Sequence, residues 1–316
     1  MNLEISVIIP VYNAALFLRK AVNSALQFDE VKEIVLVEDQ STDDSLEICE
    51  KLVSENSKIK LYQHSDKGNH GAGATRNLGL EKANSEFISF LDADDYYLPN
   101  RFDAEKEIFK NSKIEGVFGA IGVEYLTEKG KEEFQKKFKN TSLTTVNFPA
   151  EGEDVFMGLL GLSTKVFGTF FHLNTLTVKK SAIVKNTLKF NENLRVHQDS
   201  DFIIKLAFHC YLKSGIIDKA IAIRGVHDDN RITKVKPYSG KFYANKLLLH
   251  NSLYLWSKSV KLKPIYSKKI KLNYLSFKIA NQKGFKKWFS FFKVTILNPE
   301  FLKTKYCFHA LNKYHD

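Results

Sequence analysis

Residues 236–316 contain no arginine. That stretch holds 17 lysines and only two acids, Glu300 and Asp316, a net charge of +15 in a chain of 316 residues whose total is +11. Residues 1–235 hold the other 30 basic and 34 acidic side chains and are mildly acidic. Arginine makes the commonest specific base contacts, so its absence argues against nucleic acid as a partner. Lysines interleaved with Trp256, Tyr274, Phe285, Trp288, Phe289, Phe291 and Phe292 suit an anionic membrane surface better. A helical cap with core aromatics and solvated lysines is the equal alternative.

Cysteine is also scarce. Cys49, Cys210 and Cys307 are odd in number, far apart and in no metal-ligand spacing, which excludes a disulfide framework and a zinc site and points to a reducing compartment. No stretch approaches the ~20 apolar residues of a membrane-spanning helix. The first four residues lack a basic leader, and the apolar run Ile5–Val11 is too short for a signal sequence. The expected location is cytoplasmic, soluble or peripheral on the inner face of the cell membrane. Six prolines and 44% apolar residues describe a folded chain.

Apolar runs at 5–11, 34–37, 59–62 and 87–91 read as strands buried on both faces, and helical spacing at 16–26, 42–52 and 74–83 separates them. This alternation predicts an α/β fold with a doubly wound, mostly parallel sheet. Further strands are expected at 116–123, 173–178 and 215–223, and helices at 202–211, 246–256 and 270–279. The charged run 127–140 reads as an exposed helix or excursion. A body over 1–235, divided near 125, would then carry a basic, aromatic-rich helical extension over 236–316. In open α/β sheets ligands bind beyond the carboxyl ends of the strands, where strand order reverses. Polar groups follow those ends here: Tyr12 and Asn13, Glu38 and Asp39, and Asp92 to Asp95.

Three segments carry chemistry. In FISFLDADD (87–95) a strand delivers three carboxylates within four residues, a charge density that is costly unless a cation neutralises it. Mg²⁺ or Mn²⁺ would accept these oxygens. A solvated acidic turn capping a helix that starts near Pro99 is the alternative. In EDQSTDDS (38–45) Asp39 could receive hydrogen bonds from a base or ribose, while Asp43, Asp44 and Ser45 read as helix-capping residues. In GNHGAGATRNLG (68–79) glycines allow close backbone approach to a ligand, and Arg76 adds a charge suited to phosphate. The segment follows the third strand and lacks a third glycine at dinucleotide-fingerprint spacing, which disfavours a Rossmann dehydrogenase.

Taken in order, ISVIIPVYN, EIVLVEDQSTDDS, GAGATRNLGL and FISFLDADDYYLPNR resemble the successive motifs of family 2 glycosyltransferases of the GT-A fold. The resemblance is dense over residues 3–105 and looser up to 230. It implies inverting transfer from a nucleotide diphosphate sugar donor to a saccharide or glycolipid acceptor, with Mn²⁺ or Mg²⁺ as cofactor. By position it implies that Pro10, Tyr12 and Asn13 border the uridine, Asp39 contacts the base and Arg76 lies near the nucleotide. Asp92 would serve the ribose or metal, Asp94 the metal, and His227 the metal or phosphates. Glu38 and Gln40 depart from the usual aspartate and glycine. In NENLRVHQDSDF (191–202) Gln198 replaces an expected glutamate, and Asp199 takes the role of general base, with a helix N-cap as its structural alternative. These departures are the only support for a different reading, a catalytically degenerate fold kept as a binding or scaffolding subunit.

Overall fold

Strand β1 (Ile5–Val11) is sealed on both faces, with Ile5, Val7, Ile8, Ile9 and Val11 all fully buried. At about 1.5–3 kcal/mol for each buried aliphatic side chain, this strand alone supplies much of the drive that organises the sheet around it. A computed structural model describes residues 3–138, 143–168, 170–228, 235–303 and 305–311. The chain divides into two compact units, residues 1–228 and 229–316.

The first unit is built on a seven-stranded sheet. β1 is flanked by β2 (Val31–Glu38) and β4 (Phe87–Phe90), both parallel to it, and β3 (Ile59–Gln63) extends the sheet beyond β2. Helices α1 (Leu18–Leu26), α2 (Ser45–Glu55) and α3 (Ala72–Lys82) make the crossover connections such parallel strands require. Strand order runs β3-β2-β1-β4 and then continues through β8 (Thr177–Lys179), β6 (Gly116–Phe118) and β9 (Leu212–Ser214). The reversal falls between β1 and β4. The ends of β1 and β2, with the polar groups named above, and the acidic turn after β4 therefore share one edge of the sheet.

The run expected as one strand over 116–123 is two. β6 belongs to the large sheet, and β7 (Ala120–Tyr125) joins β5 (Tyr96–Tyr97) and β10 (Ala220–Val226) in a second, three-stranded sheet. Gly119 makes the crossing: a Cβ there would lie 2.6 Å from Ile221 Cδ1 and 2.7 Å from the Ile216 carbonyl. Of the strand expected over 215–223 only 220–223 is strand, the start of β10; 215–219 connects it to β9, which ends at Ser214. Over 173–178, a single 3-10 turn (Leu173–Thr175) precedes β8 because Asn174 points its side chain inward. No helix starts near Pro99; β5 follows the acidic turn and α4 begins later (Asp103–Ile108). The charged run contains α5 (Glu128–Phe138), with 139 and 140 outside the described residues. Helices α6 (Glu153–Leu160), α7 (Lys180–Lys185) and α8 (Gln198–His209) complete this unit.

Among its described residues the second unit contains helices α9 (Gly240–Ser259), α10 (Pro264–Ala280), α11 (Gly284–Leu297) and α12 (Lys305–Leu311), with a 3-10 turn (Pro299–Lys303) before the last. Its core gathers Leu272, Ile279, Phe291, Phe301, Tyr306 and Ala310. The stretch before the boundary expected at 235 (residues 229–234) lies outside the described residues. Among the described residues no helix is long and apolar enough to cross a membrane.

Arg101 is fully buried and ties the middle of the first unit together. It pairs with the equally buried Glu105 at 2.5 Å and donates to the carbonyls of Asn174 (2.9 Å) and Leu176 (3.1 Å) and to the Thr177 hydroxyl (3.2 Å). Removing one partner of a buried pair leaves a charge with nothing to offset its desolvation, at about 3–5 kcal/mol. Arg101→Met should therefore destabilise the protein by about that much in urea unfolding. Arg101→Met/Glu105→Leu should recover a large part of the loss; a double variant no more stable than the single one would contradict this account of the pair.

Candidate functional site

The loops after β1 and β2 are laced together by their own polar side chains. The Asn13 amide donates to Ser41 Oγ (3.0 Å), and Asn13 Oδ1 accepts from the Thr42 amide (2.7 Å). Ala14 and Ala15 donate to Ser45 Oγ (2.8 Å) and Asp43 Oδ2 (3.1 Å). Asp43 also accepts from the Ser45 amide (3.1 Å), so it, rather than Asp44, satisfies the start of α2. Pro10 lies near the end of β1, and Tyr12 stands exposed just beyond it.

Asp39 is buried and receives two amides, His70 N on Oδ1 and Gly71 N on Oδ2, both at 2.8 Å. It thereby fixes the loop leading into α3 to the end of β2. Gln40 adopts a left-handed backbone (φ 62°), which explains why glycine suits this position, and its Oε1 accepts from the Asn69 amide (3.0 Å). Glu38 is buried as well, accepting from the Ser41 amide and from Gln63 Nε2. Both atypical residues thus have structural partners. Gly71 takes φ 84°, a conformation L side chains rarely adopt, with the Arg195 guanidinium packed over its Cα.

The acidic turn is organised by Asn174, whose Oδ1 accepts from the Asp92 amide (3.1 Å) and whose Nδ2 donates to Asp95 (2.5 Å). Asp92 pairs with the buried Arg76 at 2.5 Å, and His172 Nε2 stands 3.9 Å from its other oxygen. Burial works against the Asp92 carboxylate, yet the charge of Arg76, followed by His172 and Arg224, outweighs it and lowers its pKa. Asp95 goes the other way. Burial first, then the charges of Asp94 and Asp92, push its pKa well above the usual range, and the Gly225 amide (2.9 Å) with Asn174 occupies its two oxygens. Asp94 meets His227 at 3.2 Å, with the Phe17 ring 4.7 Å from the imidazole. Burial, then Arg224, depress the His172 pKa to about 4 against the pull of Asp92 and Asp199, so His172 is neutral at pH 7.

The acidic turn offers one three-residue donor set and, beside it, the Asp94–His227 pair. Among the described residues, Asp92, Asp95 and His172 can each bring a ligand atom within 4.8 Å of the others. In that set Asp95 is sealed and already engaged, and His172 Nδ1 faces the Asn174 amide (3.3 Å). Asp92 and Asp94 are more open, with side chains 26% and 31% exposed, and His227 adds an imidazole. Carboxylate oxygens with one imidazole fit a divalent Mn²⁺ or Mg²⁺. The buried Nε of Arg76 has no hydrogen-bond partner among the described residues.

Asp199 sits in the first turn of α8, but it is not the N-cap. His197 occupies that position with φ 65°, and Asp199 Oδ1 accepts from the neighbouring Ser200 amide (2.8 Å). The side chain is half-buried, and its charge bears on His172. Asp201, two residues on, is sealed and ion-paired to Lys205 at 2.6 Å. Gln198 is buried, its Oε1 3.2 Å from where a Cβ on Gly73 would stand, so the starts of α8 and α3 abut. His172, Asn174 and Arg224 join the site without a motif in the sequence to announce them, as does Arg195 from within the 191–202 segment, where only Gln198 and Asp199 stood out.

The family model described as Glycosyl transferase family 2 matches residues 6–163. An uncharacterized glycosyltransferase of Haemophilus influenzae is 38% identical over 33% of this chain and 42% of its own length. The minor teichoic acid biosynthesis proteins GgaA and GgaB of Bacillus subtilis are 30% and 26% identical over 64% and 78% of this chain. The chain spans only 42% of GgaA and 26% of GgaB. Among solved structures, residues 1–349 of S. aureus TarS in complex with UDP-GlcNAc superpose with a TM-score of 0.62 at 20% identity, covering 98% of this chain and 80% of that one. That likeness establishes the GT-A fold. With the family motifs on one sheet edge and half the chain matched, this protein belongs to glycosyl transferase family 2.

Proposed function

We propose that the chain is an inverting glycosyltransferase. It moves a hexose or N-acetylhexosamine from a UDP-sugar to a hydroxyl of a glycan or lipid-linked saccharide in the synthesis of a cell-surface polysaccharide. The observation that carries the reading is the grouping at the strand-order reversal: Asp92 paired with Arg76, Asp94 with His227, and Asp199 close enough to bear on His172. The teichoic acid relatives support the polymer class, and the TarS complex with UDP-GlcNAc supports the donor class.

Each Asp39 oxygen already accepts one amide and keeps a second lone pair, which suits the imide N–H of uracil. Pro10, Tyr12 and Asn13 border the same nucleotide. Arg76 places buried positive charge where a diphosphate departs, in a site dry enough for it to count. Asp92, Asp94 and His227 would hold a divalent ion, which when bound supplies further neutralisation of the leaving diphosphate. Asp199 takes the proton from the acceptor hydroxyl. That oxygen bonds to the anomeric carbon from one face as the bond to the diphosphate oxygen breaks on the other, and the nucleoside diphosphate leaves with the bonding pair. The openness of Asp199 and the sealing of Asp201 favour Asp199 as the base.

Asp199→Asn retains an oxygen for the Ser200 amide and removes only basicity, so stability should hardly change. Transfer should fall by about 10²–10⁴-fold with nucleotide affinity near wild type. Near-normal turnover would place the base elsewhere. For the ion, transfer should stop in excess chelator and return with Mn²⁺ or Mg²⁺. Asp94→Asn should raise the Mn²⁺ concentration for half-maximal transfer by at least about tenfold, whereas full activity in chelator would overturn the metal assignment.

A further inference from the structure

Helix α11 turns most of its aromatic side chains outward. Phe285 (83% exposed), Trp288 (51%), Phe289 (58%), Phe292 (58%) and Ile296 (76%) recur at i, i+3, i+4, i+7 and i+11. At about 100° per residue they form one continuous face roughly 100° wide. Of this helix only Phe291 is buried in the core of its unit. The expectation that the tail's aromatics are core side chains therefore fails for this helix. Exposed Lys286 and Lys293 run along one edge of the face, and exposed Lys283 precedes it.

We propose that this face is a membrane-contact surface: α11 lies in the plane of an anionic bilayer interface, with its aromatic side against the acyl boundary and the flanking lysines among the headgroups. Charge selects the occupant. Residues 236–316 carry +15, so a second copy of the same surface is repelled while an anionic lipid surface is attracted. Length selects the mode. Fourteen residues rise about 21 Å, short of the bilayer core, so the helix lies on the membrane and does not span it. A face of Phe and Trp beside Ile296, edged by lysine, has the composition of interfacial helices.

The chain has two tryptophans, Trp256 and Trp288, so full-length Trp256→Phe leaves Trp288 as the reporter. With vesicles of phosphatidylglycerol and brominated phosphatidylcholine, its emission should shift to the blue and be quenched. Vesicles of brominated phosphatidylcholine alone should do far less, and raising salt from about 0.05 M to about 0.5 M should weaken the effect. Phe285→Ser/Phe289→Ser/Phe292→Ser should lower co-sedimentation with the anionic vesicles by at least about tenfold while circular dichroism is unchanged. Lys286→Glu/Lys293→Glu should lower it too, without touching the apolar face. Absence of quenching, equal sedimentation of the serine variant and wild type, or binding to single-stranded DNA in preference to vesicles would each overturn the proposal.

Discussion

A guanidinium with no access to water must have its donors satisfied by protein, and Arg101 meets that demand by gripping the segment 174–177. Its bond to the Asn174 carbonyl holds that residue so that its side chain bridges the Asp92 amide and the Asp95 carboxyl. The acidic turn depends on this chain of contacts. Without it, three carboxylates at one strand end would have neither a fixed backbone nor a reason to stay together. Glu105 neutralises the arginine within the same buried layer, which confines the charge to the place where it orders the site.

The turn then separates its carboxylates by environment. Asp92 is held ionised by Arg76, while Asp95, sealed and beside two like charges, is driven toward its neutral form and serves as a post for Asn174 and Gly225. Asp92 is part-exposed beside Arg76 and Asp95 is sealed against Asn174 and Gly225, although they stand three residues apart. Position on the sheet explains why these groups meet. The strand order reverses between β1 and β4, and the crevice that the reversal opens receives the loops of β1 and β2, the start of α3 and the acidic turn.

Much of this was legible in the sequence because buried parallel strands are written as unbroken apolar runs: 5–11, 34–37, 59–62 and 87–91 all fall on or within observed strands, the last extending one residue beyond β4. The groups at their ends were legible for the same reason, since topology brings strand ends together. What was hidden depended on contacts between distant residues. Gly119 divides a continuous apolar run because Ile216 and Ile221 leave no room at that point, and nothing local marks it. Asn174 and His172 belong to no motif; their roles follow from Arg101 and Asp92, far away in sequence. His197, in a left-handed conformation, takes the cap position that local rules assign to Asp199. Gln40 and Glu38 looked like departures from a pattern and proved to be bound into the loop by Asn69, Ser41 and Gln63.

The central claim is that the sheet edge around Asp39, Arg76 and Asp92 is a uridine diphosphate site. Titration calorimetry with UDP, GDP and dTDP in the presence of Mn²⁺ tests it without knowledge of the sugar or the acceptor. The account predicts saturable binding of UDP, at least about tenfold tighter than GDP, that is lost in Arg76→Ala. Equal affinity for all three nucleotides, or preference for GDP, would contradict it.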